Sequence, residues 1–286
     1  MAKRRTRKIV QVITALLYNA NIGGFASGTL YRGATKNVCV PGLNCYSCPG
    51  AVAACPLGSL QVALGSLPRA IPYYVLGFLL LFGALFGRVI CSFACPFGLV
   101  QELLYKIPTK KHKKSRFTRA LSGLKYGILA GFVFALPLYF LAVNGVASPA
   151  FCKYVCPAGI LEGAFPLMIA DGSLFDMAGL LFIFKVLILA AVVISAVFVY
   201  RSFCRFLCPL GAIYSFFNRV AVFGIRVDEK KCIHCDRCVR ACKMDVRKVN
   251  DRECIRCGEC RDVCPTGALD SRISTPRLPD LKGMKK

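Results

Sequence analysis

Tryptophan is absent from this chain of 286 residues, and histidine occurs only as His112 and His234. Without tryptophan, any aromatic belt at a lipid–water boundary has to come from the 11 tyrosines and 21 phenylalanines. Both histidines fall outside the long apolar runs, which excludes axial imidazole pairs and hence a haem held within a bilayer. No glycine-rich phosphate loop follows a strand-like run, so nicotinamide and flavin dinucleotides are not indicated. Acidic residues are scarce, 14 against 38 lysines and arginines, for a formal charge of +24. That charge raises a nucleic-acid reading, but the basic residues sort into alternate loops rather than onto one face, which argues against it.

In excess are apolar residues and cysteine. The chain is 56% hydrophobic, with a mean hydropathy of +0.56, and its apolar residues fall in long runs rather than at core periodicities. Four runs approach the length of ~20 residues that a helix needs to cross hydrocarbon. They are residues 9–31, 71–90, 124–143 (with Pro137 expected to kink the helix) and 179–200. The first follows a basic stretch of the kind that opens a leader peptide, and it is read here as a retained span. Basic residues cluster before the first run (Lys3, Arg4, Arg5, Arg7, Lys8) and between the second and third, from Lys106 to Lys125. The other two loops hold only Arg32, Lys36, Arg69 and Lys153, so both termini are expected in the cytoplasm. The Lys106–Lys125 run reads as a solvated loop near anionic lipid.

The 18 cysteines are too many and too regularly spaced for accident. Near the end, Cys232, Cys235, Cys238 and Cys242 form C-x2-C-x2-C-x3-C, and Cys254, Cys257, Cys260 and Cys264 repeat it. Three thiolates on a tight loop grip three corners of one iron–sulfur cubane, and the fourth reaches the neighbouring cubane. Cys232, Cys235, Cys238 and Cys264 are therefore assigned to one [4Fe-4S] cluster, and Cys242, Cys254, Cys257 and Cys260 to a second. Paired zinc knuckles are the rival, and the duplicated triplet spacing disfavours them. His234 is read as a bystander. Pro265 follows Cys264 where Lys243 follows Cys242, so the two clusters are expected to differ in potential.

Other cysteines sit near the ends of the apolar runs. The segment Arg88-Val-Ile-Cys91-Ser-Phe-Ala-Cys95-Pro-Phe-Gly98 returns as Arg201-Ser-Phe-Cys204-Arg-Phe-Leu-Cys208-Pro-Leu-Gly211, an internal repeat. Towards the outer side, Cys55-Pro-Leu-Gly58 matches Cys156-Pro-Ala-Gly159. Proline suits the first position of a helix, which leaves the preceding cysteine at the cap, beside free amides and the positive dipole end. Pairing of the inner motifs brings Cys91, Cys95, Cys204 and Cys208 together as one cluster set, flanked by Arg88 and Arg201. For an outer set the expectation is Cys48, Cys55, Cys152 and Cys156, with Cys39 and Cys45 as a disulfide or redox pair. Lys185, inside the fourth run, either snorkels outward or faces the outer set, and snorkelling is the expected outcome.

The C-x3-C-P pairs at span ends, followed by a two-cluster tail, resemble the NapH/NosR/MauN group of membrane polyferredoxins, and more distantly CcoG. The likeness runs from Ile9 to Asp270; the cysteine-rich block at residues 37–55 departs from NapH's pattern. What it implies is an iron–sulfur protein moving electrons between a cytoplasmic or quinone pool and an extracytoplasmic redox protein. The expected fold is an all-α membrane domain, residues 1–222, of four spans in two pseudo-symmetric halves, about 9–115 and 120–222. A small α+β two-cluster ferredoxin domain, 223–272, and a flexible basic tail, 273–286, would follow. The membrane would be the cytoplasmic membrane of a bacterium or archaeon. The basic surface of Arg237, Arg240, Lys243, Arg247, Lys248, Arg252, Arg256 and Arg261 suits an acidic donor such as ferredoxin or flavodoxin. A CcoG-like metal reductase or a transmembrane thiol reductant is the alternative. One difficulty stands: a span of 20 residues is about 30 Å long, too far for one electron hop unless the Cys-Pro loops dip inward.

Overall fold

The computed structural model describes residues 4–65, 72–112, 114–175 and 179–270. Arg69, Lys113, the first residue of the 71–90 run and the 273–286 segment lie outside them. The described chain is mostly helical. Helix α1 (Arg4–Tyr18) stops at Asn19, whose side-chain amide caps the Ala15 carbonyl, and the Asn21 amide beyond it donates to the Pro49 carbonyl. Helix α2 (Pro56–Leu64) and α3 (Tyr73–Phe86) follow, and α3 is broken at Gly87, whose φ is +51°. Two short helices, α4 (Val89–Phe93) and α5 (Pro96–Leu104), carry the first inner cysteine motif.

The longest helix, α6 (Arg116–Asn144), holds Pro137 without a sharp break. Its turns widen to π geometry over Leu129–Ala135, immediately before the proline, which relieves the ring clash and the missing amide donor. The same device recurs at Gly159–Ala164, just ahead of Pro166 in the apolar helix α7 (Gly159–Ala170). Helix α8 (Leu180–Phe198) leads into α9 (Ser202–Phe206) and α10 (Pro209–Phe217), which carry the second inner motif. The tail is closed by a two-residue antiparallel pair, β1 (Arg226–Val227) with β2 (Leu269–Asp270). Between them α11 (Arg237–Ala241) packs on the turn Glu259–Arg261.

Among the described residues only α6 and α8, of 29 and 19 residues, are long and apolar enough to cross a membrane, against the four spans expected. The first apolar run is interrupted by the two asparagines. The second yields a helix of 14 residues, about 21 Å long, because Gly87 turns the chain. Around an apolar core, large apolar side chains face outward and several charged side chains are buried. Leu180, Leu187 and Ile183 face outward, whereas Arg88, Arg201 and Lys125 are fully buried. Lys125 is thus no part of a solvated loop. Its ammonium pairs with Glu253 of the tail, and the Thr118 hydroxyl donates to Asp245 at 2.6 Å, so this segment docks the tail.

Candidate functional site

Each Cys-Pro-x-Gly element places its cysteine in extended backbone just ahead of a helix, with ψ of 127° at Cys55, 113° at Cys95 and Cys156, and 110° at Cys208. The amide of the glycine three residues on then points at the thiol. Gly58 donates to Cys55, Gly98 to Cys95, Gly159 to Cys156, and Gly211 to Cys208 at 3.4 Å. A proline at the first helical position costs no hydrogen bond, and the open amides behind it serve the sulfur.

Cys91, Cys95, Cys204 and Cys208 line one cavity with about 290 Å³ of empty space, together with the 41–43 segment and Tyr214. The arginines of the two halves cross. Arg88 Nη2 donates to the Cys204 carbonyl at 3.3 Å, and Arg201 Nη1 donates to the Cys91 carbonyl. The glycines of the motif leave room for this: a Cβ at Gly98 would stand 3.2 Å from Arg201 Nη1, and one at Gly211 3.2 Å from the Cys204 carbonyl oxygen. Each guanidinium is also held by a buried carboxylate, Arg88 by Glu253 at 2.8 Å and Arg201 by Glu102 at 2.6 Å. Against the cost of burial, Arg88 and Lys125 hold the Glu253 carboxyl below its ordinary value, and Arg201 and Arg7 do the same for Glu102.

In the tail, Cys242, Cys254, Cys257 and Cys260 line a second cavity, with about 370 Å³ of empty space. The two cysteine loops share an unusual backbone. His234 and Arg256, each two residues after the first cysteine of its motif, have φ of +50° and +53°. Asp236 and Gly258, two residues further on, have +54° and +82°. Such left-handed residues turn successive amides towards one concavity. His234 therefore occupies a turn position. Arg256 is buried and donates to the carbonyls of Asn218 and Phe223, so it does not belong to the exposed basic surface. The remaining tail cysteines lie nearer the surface: Cys238 stands beside Cys232, while Cys264 contacts the Thr266 hydroxyl.

On the outer side the thiol of Cys45 stands near those of Cys55 and Cys156, and Cys152 near those of Cys55 and Cys45. Cys48, expected in this set, turns elsewhere. It accepts from the Gly50 and Ala51 amides and lies near Lys36, whose ammonium is tied to the Ala51 carbonyl at 2.6 Å. Nor do Cys39 and Cys45 pair. All 18 cysteines are unbridged, and Cys39 sits beside Ser59 and Tyr74. Lys185 does not snorkel; its ammonium approaches Gly159 and Cys152.

Two glutamines, neither given a role from the sequence, border the sites. Gln101 Nε2 donates to Cys204 Sγ at 3.1 Å while its Oε1 accepts from the Phe203 amide at 3.0 Å. Gln61 does the same at the outer side, to Cys152 Sγ at 3.3 Å and from the Phe151 amide at 2.9 Å. Both lie six residues after a Cys-Pro cysteine, and each reaches across to the other half. A donor to a cluster thiolate stabilises the more negative, reduced state. Gln101→Leu is expected to lower the inner cluster's reduction potential at unchanged iron content, read by potentiometric EPR; an unmoved potential would remove Gln101 from this role.

These residues fit iron–sulfur cubanes. Among the described residues no three His, Cys, Asp or Glu side chains come close enough to hold a single metal ion. Four thiols spread around a shared cavity, with amides aimed at the sulfurs, suit the separated corners of a cluster rather than tetrahedral zinc.

Comparison with known proteins agrees. A family described as a 4Fe-4S binding domain matches residues 73–115, 127–165 and 181–227, each segment carrying one C-x3-C-P pair. A second 4Fe-4S binding domain matches residues 247–270, which hold the Cys254–Cys264 motif. An uncharacterized protein of Methanocaldococcus jannaschii is 30% identical over 56% of this chain and 60% of its own length. The methylamine utilization ferredoxin-type protein MauN of Methylobacillus flagellatus is 29% identical over 70% of this chain and 66% of its own. Ferredoxin-type protein NapH of Haemophilus influenzae is 27% identical over 64% and 57% respectively. The chain thus spans less than two thirds of the length of these relatives. No solved structure matches.

Proposed function

The chain belongs to the NapH/MauN type of ferredoxin-type protein, an iron–sulfur electron carrier, and on that premise we propose that it sits in a cell membrane and passes electrons across it. A cytoplasmic donor would meet the tail, and an extracytoplasmic redox partner the outer cysteines. Bound clusters supply the one-electron carriers.

The observation that carries this reading is the succession of cysteine sets through one continuous core. Cys254 and Met244 of the tail pack in the same apolar cluster as Cys91, Cys204, Cys55 and Cys156. Asn218 holds the tail in place, donating to the Cys254 carbonyl at 2.7 Å and accepting from the Arg88 amide at 3.0 Å. Arg88 in turn reaches both Glu253 and the Cys204 carbonyl, so one side chain spans the tail set and the inner set. The crossed arginines support two halves related by a pseudo-two-fold axis. Outward apolar side chains along the helices support four passes through lipid, with the shorter helices completing what α6 and α8 begin. Arg237, Arg240, Arg247, Lys248 and Arg252 remain exposed for an acidic donor. The thiol-reductant alternative loses its proposed pair, because Cys45 faces the outer set.

Two measurements test the proposal. Anaerobically purified protein is expected to hold iron and sulfide for four clusters, two in the tail, one inner and one outer. In vesicles with the tail exposed, reduced ferredoxin outside is expected to reduce an impermeant acceptor trapped inside. Iron for the two tail clusters alone, or no reduction of the trapped acceptor, would overturn it.

A further inference from the structure

The segment Pro41–Asn44 lies between Cys39 and Cys45 in sequence, yet it does not stay on the outer side. Pro41, Gly42 and Leu43 line the inner cavity beside Cys91, Cys95, Cys204 and Cys208. Leu43 donates its backbone amide to the Cys95 thiol, and the next amide, that of Asn44, donates to the thiol of Cys55 in the outer set. Successive backbone nitrogens are under ~4 Å apart, which bounds the Cys95 and Cys55 sulfurs to roughly 12 Å of each other.

Other contacts hold the segment at this depth. Tyr214 lines the inner cavity, is wholly buried, donates its hydroxyl to the Pro41 carbonyl at 3.0 Å, and neighbours both Cys91 and Cys55. Asn44 is fully buried and accepts at 3.0 Å from Asn19, at the end of α1. Gly42 permits the approach, since a Cβ there would stand 2.6 Å from the Ala94 carbonyl oxygen and 3.2 Å from Cys95 Cα. Irregular backbone at this depth is tolerated where it is buried in protein.

Resting on the function proposed above, we infer that Pro41–Asn44 is a re-entrant bridge that holds the inner and outer cysteine sets as an adjacent pair, one amide of the Leu43–Asn44 step on each. Span length then no longer sets the distance between the two sites. The transfer this permits is one electron, lost at the inner set and gained at the outer, with no bond made and no proton moved. Gly42 and Tyr214 are positioning residues for the pair.

The test uses full-length protein, reduced anaerobically, with EPR and iron analysis. Wild type is expected to show an inner-cluster signal split by its neighbour. Cys152→Ser is expected to lose one cluster's iron and to collapse that splitting. Gly42→Val is expected to keep both clusters yet weaken the splitting severalfold, and Tyr214→Phe, which frees Pro41 without forcing a clash, should weaken it less. If Cys152→Ser loses no iron, the outer cluster and the functional reading fall together with the bridge. If iron is lost and the inner signal is unchanged, the bridge alone is wrong. An unchanged splitting in Gly42→Val with both clusters in place would likewise overturn it.

Discussion

Serine at Cys95, or at Cys208, is expected to strip iron for the same single cluster from the protein, and the double replacement is expected to strip no more. The two positions belong to different halves of the chain, but their thiols face one cavity with Cys91 and Cys204. A cubane that loses one corner ligand from so enclosed a site has no replacement donor at hand, because the other side chains lining the cavity are apolar apart from Tyr214. Independent mononuclear sites would give additive losses instead. Iron and sulfide analysis of the three variants, with the tail clusters as an internal standard by EPR, separates the outcomes. Additive loss would leave a ferredoxin tethered to a helical anchor and would end the shared-site reading. The crossed arginines add a second expectation. Arg201→Met should weaken this cluster selectively, because the guanidinium that touches the Cys91 carbonyl and balances the thiolates is gone.

Much of this was legible in the residues. The duplicated C-x2-C-x2-C-x3-C triplet fixes loop geometry by itself, and the structure adds only the left-handed residues that make it work. The inner four followed from a repeat that includes arginine and glycine as well as cysteine, and those extra matches are the crossing contacts. The outer set was harder. One of its first-half cysteines, Cys45, comes from a loop rather than a helix end, so counting from Cys55 could not reveal that Cys45 points inward and Cys48 away. Gln61 and Gln101 gave a signal in their shared spacing, but a lone glutamine on an apolar helix looks like any polar interruption. Among the described residues the apolar runs yield two helices of spanning length, for a physical reason. Apolar runs report contact with lipid or core, and they do not record where an asparagine or Gly87 turns the backbone. For Lys185 the sequence left two outcomes open, and the structure shows the one that was ranked second, an ammonium beside Gly159 and Cys152.

Glu102→Gln is expected to be among the most destabilising single changes outside the cysteines. Glu102, at the end of α5, is the common acceptor of a buried cluster of donors. Arg7 binds it at 2.8 Å, Arg201 at 2.6 Å, the Tyr200 hydroxyl at 2.7 Å, and Lys8 adds a further ion pair. Through Arg7 the cluster continues to Glu259 of the tail at 3.3 Å. One carboxylate thus ties α1, the second half of the helical region and the tail together. Glutamine keeps the shape and removes the charge, which leaves two buried guanidiniums under-compensated. Breaking one side of a buried ion pair costs on the order of 3–5 kcal/mol. That loss should be visible as a lower unfolding temperature in detergent. The pH dependence fixes the cause. Because the folded carboxyl is held below its unfolded value of about 4.3, its contribution is complete above that pH and is lost progressively as the pH falls from there to the lower folded value. Wild type should therefore lose its advantage over Glu102→Gln on acidification and keep it at neutral pH. Arg201 would also meet the inner thiolates without its counter-charge, so the inner cluster's reduction potential should rise in the variant. An unchanged unfolding temperature at neutral pH would mean that this network is solvated and that the tail is held by its other contacts, those of Asn218 and Glu253 among them.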